Sequence, residues 1–133
     1  MAEAVEEAIG QTREHSEALI AEAEDPLAAF AEWYVSVAHR DDPGGGCPLV
    51  AFGADAARSD PRVRAAYSCQ VERNIATMEE LLGDGGDGRR RAISAVSSMV
   101  GAVLMARAVD DEQLSAEILA EVRVSVESGR QDG

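Results

Sequence analysis

From residue 92 to residue 106 the chain carries no charged side chain, although Arg89, Arg90 and Arg91 precede the stretch and Arg107, Asp110 and Asp111 follow it. The stretch predicts the middle of a helix over about 89–109, and a helix with no charged face is covered nearly all round. Placing its residues about 100° apart separates two unlike sides. Ile93, Val96, Val100, Val103 and Leu104 make a bulky side, whereas Ser94, Ala95, Ser98, Gly101 and Ala102 make a side of small residues. A chain of 133 residues builds one domain around one core and can sheathe such a helix alone only with difficulty. The bulky side is therefore expected in the subunit's own core, and the small side, around Ser94, Ser98 and Ala102, against a helix of another subunit.

Helices dominate the remaining pattern. Residues 2–23 predict a thinly amphipathic helix with Val5, Ile9, Thr12, Leu19 and Ile20 on an acidic, mostly solvated cylinder. Asp25-Pro26 stops it and opens a second helix to about His39, because Asp caps well and Pro is tolerated at the first helical position. That helix places Leu27, Phe30, Trp33, Tyr34 and Val37 on one face, with Glu32, Ser36 and His39 behind. A loop over 41–46 follows, then a short helix from Cys47-Pro48 to about Arg58. Ser59-Asp60-Pro61 opens a long helix to Leu82 whose stripe is Val63, Tyr67, Val71, Ile75, Met78 and Leu82. Glycines end it over 83–88. Ser115 is expected to cap a last helix lined by Ile118, Leu119, Val122 and Val126, and residues 129–133 read as a frayed tail. The fold class expected is thus all-α, a single-domain bundle of about six helices, with 1–24 as an acidic linker helix and 25–128 as the domain proper.

Composition narrows the function. The net charge of −13 repels phosphate backbones and anionic lipid, so neither direct nucleic-acid contact nor membrane association is expected. There is no lysine, which removes Schiff-base and phosphate-loop lysine chemistry. Two cysteines, Cys47 and Cys69, are too few for a disulfide framework, and an acidic start is unlike a signal peptide; both point to a reducing cytoplasm. His15 and His39 have no second ligand at zinc-motif spacing and read as surface histidines. No metal, cofactor or catalytic residue is expected.

Several segments then form a recognisable series: His39-Arg40-Asp41-Asp42-Pro43-Gly44-Gly45-Gly46-Cys47-Pro48-Leu49, Ser59-Asp60-Pro61-Arg62-Val63-Arg64, Val100-Gly101-Ala102 through Leu104-Met105-Ala106-Arg107-Ala108-Val109, and Leu114-Ser115-Ala116-Glu117-Ile118-Leu119. In order and spacing they resemble the C-terminal regulatory domain of TetR/AcrR-type transcriptional regulators. The resemblance implies a ligand-binding and dimerisation domain, with a pocket among the middle helices and a four-helix interface made by the last two helices of each subunit. On it, Ser94, Ser98, Gly101, Ala102, Met105, Ile118, Leu119, Val122 and Val126 are the expected dimer-interface residues. Family members carry a helix-turn-helix ahead of this region, whereas Met1 stands at the helix leading out of it, so DNA binding transfers to no residue here. The alternatives are a stand-alone interaction protein that pairs with full-length regulators, and a small helical enzyme.

The expected pocket takes a small apolar or aromatic effector. Its walls would be Phe30, Trp33, Tyr34 and Cys47 with Tyr67, Gln70, Val71, Asn74, Ile75, Met78 and Met99, against the simpler role of each as a core residue. Asn74 falls on the apolar stripe, where it would orient a ligand with Gln70 or bond to a neighbouring helix or water. Cys47 lies at a helix N-terminus, where the dipole favours a thiolate; it is expected as a packing or pocket residue, with a redox switch as the alternative.

Overall fold

Asp25 and Asp60 each stand before a proline and cap the helix it begins: the Asp25 carboxylate accepts from the Ala28 N–H, and that of Asp60 from the N–H groups of Arg62 and Val63. The computed structural model describes residues 2–83 and 85–130, and every regular element among them is an α-helix. In order they are α1 (Ala2–Glu22), α2 (Pro26–Tyr34), α3 (Val37–Arg40), α4 (Pro48–Ala57), α5 (Pro61–Leu82), α6 (Gly88–Ala108) and α7 (Glu112–Ser128). Residue 84, in the glycine turn, and the expected tail at 131–133 lie outside the described residues, as does the side chain of Val5.

The expected second helix is two helices. Ser36 accepts from the His39 N–H and donates to the Trp33 carbonyl, so it closes α2 and caps α3 at once. A serine hydroxyl competing for backbone groups is what ends a helix here. The break reverses the expected faces: Val37 is exposed and His39 is buried. The last helix also differs at its start. Asp111 caps α7 by accepting from Gln113 and Leu114, while Ser115, the expected cap, lies inside the fold and donates to the Ala106 carbonyl. Within the expected frayed tail, Gly129 accepts from Arg91 through its carbonyl and Arg130 pairs with Asp25.

One core joins α2, α4, α5, α6 and α7, built from Leu27, Phe30, Leu49, Met78, Leu82, Met99, Val103 and Leu119. α6 runs through its middle, packed mainly against α5 and α7 and also against α3 and α4. It is also long and apolar enough, by length and composition, to cross a membrane. Its most buried positions include Ala92, Ala102 and Ala106, so its small residues mark close approach of helices within the subunit.

Candidate functional site

The core side of α2 carries a ladder of rings. Phe30 stacks on Tyr34 at 5.8 Å, Trp33 meets Tyr34 edge-on at 5.7 Å, and Trp33 stacks on His39 at 5.1 Å. His39 is not the surface residue expected. Its Nδ1 lies 2.6 Å from the Tyr34 carbonyl, and its Nε2 accepts the Cys47 N–H at 2.8 Å. A carbonyl can only accept and an N–H can only donate, so the ring is held neutral with its proton on Nδ1. Burial lowers the His39 pKa, nearby Arg107 lowers it further, and the Tyr34 carbonyl and Asp42 oppose the shift.

Because the folded value is depressed, the contribution of neutral His39 to stability is complete above the ordinary histidine value of about 6.5 and is lost as pH falls through the folded value. Urea midpoints measured from about pH 7.5 down to about pH 5 should therefore fall, and the slope should flatten in His39→Gln. An unchanged slope in that variant would assign the titration to another group.

Around this ring, α3 is tied to both C-terminal helices. Arg107 of α6 donates to the carbonyls of Arg40 (3.0 Å) and His39 (2.9 Å). Arg40 in turn reaches Ser115 and Glu112 of α7, each at 2.9 Å. The loop between α3 and α4 fits against the same groups: a Cβ built on Gly46 would lie 2.7 Å from His39 Nε2 and 2.9 Å from Arg107 Nη2. Cys47 is buried here beside Tyr34. Burial pushes its thiol pKa up, with Tyr34 and the backbone N–H groups of Leu49 and Val50 acting in the other direction. Desolvation outweighs the helix terminus, and the thiol stays protonated. Cys69 is free and exposed on α5.

The expected pocket residues do not share one cavity. Tyr34, Cys47, Ile75, Met78 and Met99 are core; Trp33, Tyr67 and Val71 pack against it half-buried, with the Tyr67 hydroxyl donating to the Leu49 carbonyl at 2.7 Å. Phe30, Gln70 and Asn74 do come together, at a cleft of about 400 Å³ between α1, α2 and α5 that also touches Arg13, Glu17, Ile20, Arg73 and Glu80. A second cleft of about 270 Å³, bordered by Glu6, Ile9, Ala66 and Cys69, lies along the same α1–α5 seam. Arg13, Gln70 and Arg73 border both and form the partition.

Gln70, more than Asn74, is the amide in the core register: it stands seven residues after buried Val63 and is only 8% exposed. Its Nε2 donates to the Asn74 side-chain oxygen at 2.6 Å, while its own Oε1 is buried with no hydrogen-bond partner. An unpaired buried acceptor costs about 1–3 kcal/mol. Sequence spacing identified the pair but ranked the half-buried member first, because the lean of α1 over α5 is not written in the periodicity of α5 alone.

The other unusual surface is on α6 and α7. Ile93, Leu104 and Met105 of α6 and Leu114 and Val124 of α7 are large apolar residues left exposed. Of the expected interface residues, Ser94, Ser98 and Met105 are exposed, and Gly101, Ile118 and Val122 are partly buried. Ala102, Leu119 and Val126 are buried within the subunit instead. Ile93 and Leu104, expected inside, stand on the outer arc. Size misassigned them: the tightest packing around α6 is internal and selects alanine. Ser94 and Ser98 line a groove between α6 and α7 with Arg90, Arg91 and Ser125. Among the described residues no group of three or more His, Cys, Asp or Glu side chains is placed to hold a metal.

No model of a known protein family matches the sequence, and no curated protein matches it.

Proposed function

We propose that this chain is the effector-sensing and dimerising part of a TetR-like transcriptional regulator, binding a small molecule in the α1–α5 seam and pairing with a second copy through α6 and α7. The observation that carries the reading is the distribution of exposed apolar side chains. Among the described residues the large ones are Val37 and five on α6 and α7, namely Ile93, Leu104, Met105, Leu114 and Val124. The net charge of −13 disfavours phosphate, and large apolar side chains exposed on two adjacent helices are suited to burial against a second copy despite its like charge. The order of segments resembling the regulators ends on these same two helices.

The seam and the paired face are physically connected. Phe30 borders the larger cleft and belongs to the ring ladder that ends on His39. The carbonyls of His39 and Arg40 are held by Arg107 of α6, and Arg40 holds α7. A molecule that binds one arrangement of α1 and α2 better than another thereby shifts the population of α6–α7 geometries, which is all that an effector has to do.

Native mass spectrometry of protein purified without denaturant tests both halves of the reading. The expected result is a dimer carrying an organic adduct that denaturation releases. A monomer without adduct at micromolar concentration overturns it.

A further inference from the structure

We propose that the α1–α5 seam takes an amphipathic organic acid: a ring or short chain against Phe30 and Ile20, an anionic group at Arg13 and Arg73, and a hydroxyl or N–H that donates to Gln70. The proposal rests on the effector-sensing reading and specifies the chemistry of its ligand.

The partition between the two clefts carries the argument. Its three residues are two cations and one nine-tenths-buried amide whose carbonyl oxygen has no donor. A carbonyl oxygen is satisfied only by a donor, so the ligand must bring an O–H or N–H. Asn74 accepts from the Gln70 amide through its oxygen and borders the larger cleft, so its NH₂ is left for an acceptor. The arginines set the charge. Arg13 is one of only two basic residues before position 43, and it stands on the α5 side of α1, held by Glu17 at a loose 3.8 Å. Arg73 forms no ion pair among the described residues. Of the acids nearby, Glu17 pairs loosely with Arg13, Glu6 faces Arg62, and Glu80 borders the larger cleft two turns along α5 from Arg73, which leaves Arg73 as the cation without an ion pair among the described residues. A carboxylate between two guanidiniums forms charge-assisted bonds that a neutral group cannot match.

Because Gln70 Oε1 is sealed from solvent, a donor reaches it only when α1 and α5 part at the partition and the two clefts become one. Ligand entry therefore moves α1, which adds to the core only Ile9 and, packed against its edge, Ile20 among its described side chains. Among the described side chains of α1 only Ile9 is buried.

Three probes of one shape separate the contributions: para-hydroxyphenylacetate, phenylacetate, which lacks the donor, and para-hydroxyphenylacetamide, which lacks the charge. Isothermal titration of the full chain should give para-hydroxyphenylacetate at least about tenfold tighter binding than either of the others. Gln70→Leu should abolish the preference over phenylacetate, and Arg73→Gln the preference over the amide, with circular dichroism showing both variants folded. Equal affinity for the three probes, or binding of none at millimolar concentration, overturns the ligand class. A dimer with a released neutral molecule in native mass spectrometry would then leave the sensing reading standing and this one rejected.

Discussion

Substituting arginine for both Leu104 and Met105 is expected to split the proposed dimer into folded monomers. The two side chains are 53% and 50% exposed in the single subunit, so arginine there finds water and strains nothing within the fold. In a paired face the same guanidiniums would be buried without partners, against Ile93, Leu114 or Val124 of the other copy. Dimer dissociation should rise at least about a hundredfold, roughly 2.7 kcal/mol. Sedimentation velocity across a concentration series reads this directly, and the thermal transition of the monomer should remain cooperative. Ala102→Arg makes the informative contrast. That alanine is fully buried inside the subunit, so arginine there should unfold the chain rather than divide a dimer. If the Leu104/Met105 variant sediments as the parent does, the pairing surface is elsewhere.

The second large effect is expected from one methyl group. Gly46→Ala drives a Cβ against His39 Nε2 and Arg107 Nη2, and neither neighbour is free to yield. The imidazole is fixed at both nitrogens and Arg107 is held by two carbonyls. Relief requires breaking the Cys47 N–H to His39 bond or the Arg107 clamp, leaving buried polar groups unpaired, at about 2–4 kcal/mol. Gly44→Ala is the control, since its Cβ would meet nothing within 4 Å. Urea denaturation should show a lowered midpoint for the first and little change for the second. Equal midpoints would mean that the loop relaxes without disturbing the clamp.

How far the sequence reaches is clear from particular positions. The two Asp-Pro pairs specified helix starts correctly because a cap and a fixed backbone angle act within a few residues and owe nothing to tertiary packing. The α5 stripe was legible for the same reason, and with it the Gln70–Asn74 pair. Position 36 was misread because a serine within an apolar pattern is tolerated in many helices; here its hydroxyl takes backbone partners on both sides and turns the chain. Everything downstream of that turn, including the burial of His39, followed from it. On α6 the division by size cut across the true one: Ala102 is buried on the same arc as Val96 and Val103, while Ile93 and Leu104 stand outside with Ser94 and Ser98, since small residues permit close approach to any helix and only the three-dimensional arrangement says whose. Arg107 went unnoticed as a structural residue. Its partners are the backbone carbonyls of residues 39 and 40, far away in the chain, and a backbone carbonyl leaves no mark in a residue pattern.

The unequal placement of the two thiols gives the molecule a ready optical handle. Cys47 is sealed in the core, protonated and out of reach, while Cys69 is exposed on α5 at the border of the smaller cleft. A maleimide dye added to the native protein will therefore attach at one site, next to the partition where α1 must part from α5. With no lysine in the sequence, side-chain amines offer no competing target. Changes in the emission of that dye would follow the seam opening in real time, without altering a residue of the chain.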